Sequence, residues 1–242
     1  MKTVLAILIL ALASTATAQK GLPKKSYTKW TMEEVAQVLR ESPWTDASVQ
    51  FAQGRNGNVP DHPPGTQFYV ELRLYSALPI RQAIVRRMQL TIPYAKLTAA
   101  QRASFDAEVD GLLKCPQCAE YYIVTITSAS QNLSSFAIRG DPHTLDTVEV
   151  MKRVPEDKLL QHVFLSNDKN ERRNAARVIF TPRHEMVFLF QRVNEHDNAL
   201  ITPANKKFSI EFDDYLAKKT EGSLKKFTFN VKDIMRDGEV LF

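Results

Sequence analysis

The sequence is poor in the residues that build the commonest catalytic and cofactor sites, because its 242 residues include only two Cys, five His and eight Gly. It contains no Gly-x-Ser-x-Gly motif of the common serine hydrolases and no glycine-rich phosphate loop. No two histidines stand at the spacing that places two metal ligands on one helix face. We therefore expect no cofactor and no metal ion.

Long apolar runs are also missing, except for residues 4–12 at the amino terminus. Lys2 precedes this run, and the small residues Ser14, Ala16 and Ala18 follow it, which is the pattern of a cleavable secretory signal. The run is shorter than the roughly 20 residues that span a bilayer. We predict a signal peptide over residues 1–18, export to the periplasm or the cell exterior, and no transmembrane segment in the mature chain.

The charge is mildly basic, at +5 from 32 Lys and Arg against 27 Asp and Glu. Nucleic-acid binding requires clustered Lys and Arg with aromatic residues between them. The densest basic groups are Arg81 with Arg86 and Arg87, and separately Arg172 with Arg173. We interpret these groups as solvated surface and expect no nucleic-acid partner.

Three segments have helical signals. Thr31 and Glu34 form a capping box before an apolar face in residues 35–39. Residues 79–92 carry apolar side chains four apart, and residues 98–114 open with a second capping box and continue as an apolar stripe. The sequence therefore predicts a short amino-terminal helix and a helical hairpin at about 79–114.

Strand signals flank the helical hairpin on both sides. Residues 121–127 are β-branched and aromatic, residues 186–190 are apolar without alternation, and apolar residues alternate with polar ones in three segments, 68–74, 208–212 and 227–231. Residues 163–165 and 176–180 are expected to form a hairpin. We predict an α+β fold, mainly β, in which an antiparallel β-sandwich carries an inserted helical hairpin and a short amino-terminal helix.

The predicted organisation is a flexible leader over residues 19–29 followed by a single β-sandwich domain over residues 30–242. The leader is polar and basic, and strong strand signals stand on both sides of the helical insertion. These features favour one domain over two.

The most distinctive short motif is the Cys-Pro-Gln-Cys segment from Cys115 to Cys118. Haem attachment would require His at position 119, which is Ala, and a zinc site would require two further ligands at suitable spacing. A thiol–disulfide oxidoreductase places its motif at the amino end of a helix, whereas this one follows the carboxyl end of residues 105–113. We predict a structural disulfide, with redox chemistry or two free thiols as alternatives.

The functional hypothesis is a non-enzymatic module that binds another envelope component, either a protein or a glycan. Both bind flat aromatic patches, and the candidate residues, shared between core and binding face, are Trp30, Trp44, Tyr69, Tyr75, Tyr121 and Tyr122. One alternative is a hydrolase whose carboxylates are brought together by the fold. The other is a thiol–disulfide protein that uses Cys115 and Cys118. The sequence does not predict an oligomeric state.

Three segments carry a resemblance to known proteins. The segment from Trp30-Thr31-Met32-Glu33-Glu34 to Ser42-Pro43-Trp44, together with residues 79–83 and 170–173, resembles a group of exported soil-bacterial proteins. The resemblance implies a bacterial envelope or extracellular setting. It supplies no functional residues, because the group has no assigned activity.

Overall fold

A computed structural model describes residues 22–51, 67–128, 147–220 and 224–242, and the predicted signal peptide lies outside them. The helices of these residues are α1 (Met32–Glu41), α2 (Leu78–Thr91), α3 (Ala99–Lys114), α4 (Gln117–Glu120), α5 (Thr147–Lys152), α6 (Glu156–His162) and α7 (Asp214–Lys219). The strands are β1 (Thr45–Phe51), β2 (Gln67–Leu74), β3 (Tyr121–Ser128), β4 (Val163–Asn167), β5 (Arg172–Asn174), β6 (Arg177–Phe180), β7 (Glu185–Gln191), β8 (Lys207–Phe212), β9 (Lys226–Asn230), β10 (Met235–Arg236) and β11 (Glu239–Val240). None of the described helices is long and apolar enough to cross a membrane.

Two antiparallel sheets form the framework. The first sheet has five strands in the order β1-β2-β3-β7-β6, and the second has four in the order β5-β4-β8-β9. The short pair β10-β11 stands apart from both. The predicted α+β class, with antiparallel sheets, an amino-terminal helix and an inserted helical hairpin, is confirmed.

Aromatic side chains join the two sheets in a shared core. Phe188 of the first sheet meets Phe212 of the second, with ring centroids 6.0 Å apart. The Phe242 ring lies 4.9 Å from Tyr122 of the first sheet and 5.0 Å from Phe208 of the second. These contacts show that the inner faces of both sheets pack against each other. Aromatic pairs at these separations stabilise a fold by more than the area that they bury.

The amino-terminal helix α1 begins as the sequence predicts. The Glu34 backbone N–H donates to Thr31 Oγ1 at 3.2 Å, and the Thr31 N–H donates to Glu34 Oε2 at 2.7 Å. Each bond satisfies a donor that a helix start leaves without a partner. Val35, Val38 and Leu39 are buried, so this face of α1 packs into the core.

Residues 22–29 of the predicted leader contact the body of the protein. Leu22 and Tyr27 pack against the core. Lys25 Nζ lies 2.9 Å from Glu34 Oε2, and the Lys25 carbonyl accepts a hydrogen bond from Trp30 Nε1 at 3.0 Å. These contacts fix the start of the described chain against α1.

The predicted hairpin between residues 163–165 and 176–180 is wrong. β4 pairs with β5 instead, and β6 pairs with β7 in the other sheet. The switch takes one residue, because the Ala175 N–H donates to the Val163 carbonyl and the Ala176 N–H donates to the Leu189 carbonyl. The chain therefore passes from the second sheet to the first between two adjacent peptide groups.

The outer face of the first sheet, turned away from the second sheet, carries buried polar side chains on β2 and β3. Arg73 and Glu71 form an ion pair of 2.5 Å and are 6% and 1% exposed. Arg73 Nε also donates to the Leu39 carbonyl of α1 at 3.0 Å. The arginine thereby connects the end of α1 to the sheet.

A histidine–aspartate pair connects α6 and α7. His162 Nδ1 lies 2.5 Å from Asp213 Oδ2, and the His162 ring stacks on Tyr215. Asp213 also caps α7 by accepting from the backbone N–H groups of Tyr215 and Leu216. Partial burial acts to raise the pKa of Asp213, but the hydrogen bonds from His162 and the backbone outweigh it and hold this pKa below its ordinary value.

We expect this pair to stabilise the fold above about pH 4 and to lose its contribution as the pH falls further. An aspartate whose pKa is depressed in the folded state binds its proton more readily in the unfolded state. The stabilisation is therefore fully present above the unfolded-state pKa of about 3.9, and it is lost as the pH falls through the folded-state pKa. Urea unfolding between about pH 2 and 5 measures this effect. As the pH falls, the free energy of unfolding should decrease less steeply for Asp213→Asn than for the parent. Identical slopes would contradict the assignment.

Candidate binding groove

A groove of about 550 Å³ crosses the outer face of the first sheet. Its floor consists of side chains from three neighbouring strands, namely Ile123 and Thr125 of β3, Val187 and Leu189 of β7, and Ile179 of β6. The register pairs Ile123 with Leu189, and Val187 with both Thr125 and Ile179, so all five share one face. We call this site the outer groove.

The wall of the outer groove is the chain between α3 and β3. Leu112 at the end of α3 lines it, as do Cys115, Pro116 and Gln117. Cys115 and Cys118 form the predicted disulfide, with 5.3 Å between their Cα atoms. Cys118 is 8% exposed and packs with Ile123 and Leu189, so the bridge is fixed to the groove floor.

Two arginines hold this wall in place. Arg81 of α2 donates to the carbonyls of Leu112 and Leu113 in the last turn of α3, where helix carbonyls lack partners. Arg192 Nε donates to the Cys118 carbonyl at 2.6 Å, and another of its nitrogens donates to the Phe242 carbonyl. Burial lowers the pKa of both arginines, yet guanidinium groups remain charged in proteins.

Tyr75 lines the outer groove beside the disulfide cluster, and Thr181 and Glu185 line the other end of the groove. Burial raises the pKa of Tyr75, and Glu185 raises it further, against the opposite effects of Arg81 and Arg183. The Tyr75 phenol is therefore protonated at neutral pH and offers a hydrogen-bond donor. Thr181 Oγ1 donates to Glu185 Oε2 at 3.4 Å, which orients this carboxylate.

Positive charge exceeds negative charge at this end. Arg87 of α2 is half-buried and interacts electrostatically with Arg73, Arg183, Glu185 and Glu71. Burial lowers the pKa of Arg87, and the positive charge of Arg73 lowers it further. The charges of Arg73 and Glu71 cancel in their ion pair. This leaves two arginines, Arg87 and Arg183, near one carboxylate, that of Glu185. Within the described residues the Arg87 guanidinium has no hydrogen bond or ion pair.

The structure places the aromatic candidates in different surroundings. Trp30, Trp44 and Tyr122 are buried in the main core. Tyr75 lines the outer groove, and Tyr121 packs in the small cluster around Cys118 beneath it. The side chain of Tyr69 lies outside the described part of the structure. The structure therefore brings Tyr75 and Tyr121 together at the disulfide and separates them from the two tryptophans.

The sequence did not reveal the groove floor. Residues 186–190 have no apolar–polar alternation, a pattern that is typical of a strand buried on both faces. The helices cover the outer face only in part, and Ile179 of β6 is 41% exposed. The sequence signal was the presence of apolar side chains on both faces of β3 and β7. This pattern fits a covered outer face and an open apolar groove equally well.

A hydrolase site would require converging carboxylates, and a metal site would require a cluster of ligands. Among the described residues, Glu185 is the one carboxylate that lines the outer groove. Across residues 22–51, 67–128, 147–220 and 224–242, no three His, Cys, Asp or Glu side chains form a metal-binding group.

The framework and groove define an α+β protein of two packed antiparallel sheets, with a partly apolar site on the outer face of the larger sheet. Comparisons of the chain with protein families, with curated proteins and with solved structures find no match. The functional argument therefore depends on the geometry of the site.

Loss of the disulfide should destabilise the protein by about 2 kcal/mol, since chain entropy predicts a gain of this order for a loop this short. The two cysteines are three positions apart in the sequence. Urea unfolding of the Cys115→Ser/Cys118→Ser double variant, compared with the parent, measures the loss. The parent in reductant is the matched control and should agree with the variant. Unchanged stability in both samples would show that the arginines alone hold the wall.

Proposed function

We propose that this is an exported, non-enzymatic binding protein of the bacterial envelope or extracellular space. Its ligand in the outer groove would be an extended segment of a partner protein, with an apolar side chain next to a carboxylate. The observation that carries the proposal is the partly exposed apolar floor with excess positive charge at one end. Apolar sites with a few well-placed polar groups are typical of ligand binding.

The apolar part of the groove supports an apolar side chain as ligand. Ile123, Val187 and Leu189 form a continuous patch on two paired strands, and Ile179 extends it to the sheet edge. Sheet strands and a disulfide make the site rigid, so little conformational entropy is lost when a ligand binds.

The polar end supports an adjacent acidic group. Arg183 is exposed and Arg87 half-buried, and Arg87 interacts electrostatically with both Arg183 and Glu185. A carboxylate from a partner would complete the charge balance of this end. The Tyr75 hydroxyl offers a further donor to such a group.

Site-specific photo-crosslinking tests this proposal. A photoreactive amino acid replaces Ile179 in the groove or, as the control, Met32 on α1, which is similarly exposed at 44% against 41%. Expression in the native host keeps the protein in its own compartment. We expect one partner protein to be cross-linked from position 179 and not from 32, through a peptide with an apolar residue beside Asp or Glu.

A synthetic version of the cross-linked peptide then tests the polar end. Arg183→Glu should weaken its binding by about tenfold or more, because the variant places a second negative charge beside Glu185. Arg236→Glu makes the same charge change at an exposed site on β10 and should have little effect. Equal cross-linking from positions 179 and 32, or peptide binding that Arg183→Glu leaves intact, would refute the proposal.

A second candidate function is thiol–disulfide exchange with a ligand in the groove. It is favoured by the position of Cys115, which lines the wall while Cys118 is buried beneath it. Against it, Cys115 caps the carboxyl end of the 16-residue α3, where the helix dipole disfavours a thiolate, and the helix α4 that follows has only four residues. A reduction potential above about −200 mV would support exchange, and one below about −300 mV would identify a structural bridge.

A further inference from the structure

The wall of the outer groove has a gap at Gly111. This glycine lies in the last turn of α3, is exposed, and lines the groove together with Leu112. A Cβ atom at position 111 would meet no other atom within 4 Å. The wall therefore has open space where any other residue would carry a side chain.

The stability of α3 does not explain this glycine. Glycine within a helix is destabilising relative to alanine, because it loses more backbone freedom on folding. Among the described residues only Gly238 is a glycine with positive φ, and the left-handed residue that ends α3 is Cys115. Neither backbone conformation nor a close neighbour thus requires Gly111, and its effect on the structure is the space that it leaves.

This space adjoins the disulfide end of the outer groove. Tyr75, Cys115 and Ile123 line the groove with Gly111, and Tyr75 and Cys115 both pack against the small cluster that contains Ile123. Arg81 connects the two sides, because it donates to the Leu112 carbonyl and acts electrostatically on the Tyr75 phenol. We call the space beside Gly111, with Tyr75, Cys115 and Ile123, the glycine slot.

The groups around the glycine slot favour an aromatic ring over an aliphatic side chain. The Tyr75 ring can form an edge-to-face or offset pair with a second ring, which stabilises a contact by more than the area that it buries. The sulfur of Cys115 is a further group that attracts aromatic rings. An aliphatic side chain would cover Ile123 equally well, but it would gain neither contact.

We infer that the glycine slot binds an aromatic side chain of the partner segment. The inference rests on the proposed function and specifies the apolar side chain of that ligand as Phe, Tyr or Trp. Gly111 then determines specificity, since its missing side chain leaves room for the ring. Tyr75 and the disulfide contact the ring, while the adjacent carboxylate of the ligand lies toward Arg87 and Arg183.

A chemical-shift titration of the ¹⁵N-labelled protein with three synthetic peptides tests this inference. The probe is acetyl-Thr-Phe-Glu-Thr-amide, and the two comparison peptides carry leucine or cyclohexylalanine in place of phenylalanine. Cyclohexylalanine matches phenylalanine in size but has no π system. We expect the phenylalanine peptide to bind at least about threefold more tightly than either comparison peptide and to shift the Gly111 amide signal.

The variant that fills the slot is Gly111→Leu. It should weaken binding of the phenylalanine peptide at least about tenfold, because the new side chain occupies the place of the ring. It should also raise the melting temperature by roughly 1–4 °C, since leucine is the better helix former. Ser104→Ala, at an exposed position of α3 that does not line the groove, also strengthens the helix and is the control. Its binding should equal that of the parent.

Tyr75→Leu separates the ring contact from simple filling of the groove. This variant should bind the phenylalanine and cyclohexylalanine peptides about equally, because the aromatic partner of the ligand ring is gone. A preference for phenylalanine that persists in Tyr75→Leu would overturn the role of this ring.

Other results would overturn the inference as a whole. A lower melting temperature for Gly111→Leu would show that the glycine has a structural role, and unchanged peptide binding by this variant would place the ligand elsewhere. Equal binding of all three peptides, weakened by Arg183→Glu, would refute the glycine slot and leave the proposed function intact. Absence of binding by every peptide would refute the slot, while photo-crosslinking from position 179 decides the proposed function separately.

Discussion

Replacing Trp44 with Ala should lower the free energy of unfolding by about 3–5 kcal/mol, the usual range for removal of a buried aromatic side chain. Trp44 is fully buried immediately before β1. Its Nε1 donates to the Leu241 carbonyl at 2.7 Å, a contact across 197 positions of sequence. The substitution therefore leaves a cavity and also removes one of the hydrogen bonds that hold the carboxyl-terminal segment in place.

Urea unfolding followed by circular dichroism measures this loss, and Trp44→Phe is the matched variant. Phe keeps most of the ring packing but cannot donate to Leu241, so the difference between the two variants separates packing from the hydrogen bond. We expect Trp44→Phe to lower the free energy of unfolding by about 1–3 kcal/mol, which is the penalty for burying the Leu241 carbonyl without a hydrogen-bond donor. Equal losses for both variants would mean that packing of the indole contributes little.

Replacing Arg73 with Met should destabilise the protein by about 3–5 kcal/mol, because the Glu71 carboxylate stays buried without its guanidinium partner. Glu71 is 1% exposed, so water does not reach it in the folded state. The substitution also removes the hydrogen bond from Arg73 to the Leu39 carbonyl of α1. Both effects act on the same helix–sheet contact.

A double-mutant cycle distinguishes the ion pair from general packing. Adding Glu71→Gln to Arg73→Met removes the buried negative charge and should recover part of the lost stability. Arg236→Met, at an exposed pair with Asp237, is the surface control and should change stability by about 0.5 kcal/mol or less. Additive losses for the two buried substitutions would contradict a coupled pair.

Local patterns predicted the helices α1, α2 and α3, whereas the shorter helices α4 to α7 were not predicted. Both capping boxes are present, at Thr31 with Glu34 and at Thr98 with Gln101. The burial of α3 differed from expectation, since of its apolar stripe only Phe105 is buried. A capping box is a property of neighbouring residues, whereas burial depends on what the rest of the chain places against the helix.

Strand pairing was harder to predict than strand position. β5 consists of Arg172, Arg173 and Asn174, and such a segment has no apolar alternation. The sequence therefore paired β4 with the next apolar segment, which belongs to the other sheet. Pairing depends on contacts between distant residues, and a period-two pattern does not encode the partner.

The candidate site was only partly predictable for the same reason. The disulfide followed from the spacing of Cys115 and Cys118 together with the expected export. The outer groove is set by which part of the sheet α2 and α3 leave uncovered. This property is not visible in a local window of residues.

The one-residue switch at Ala175 and Ala176 means that the two sheets are interleaved along the chain. β6 and β7 of the first sheet lie in sequence between β5 and β8 of the second. No single cut in the chain therefore yields a fragment that contains one complete sheet and nothing of the other. Native pairing must also close long loops, which is a slow process in folding, and probes placed in either sheet should report one common unfolding transition.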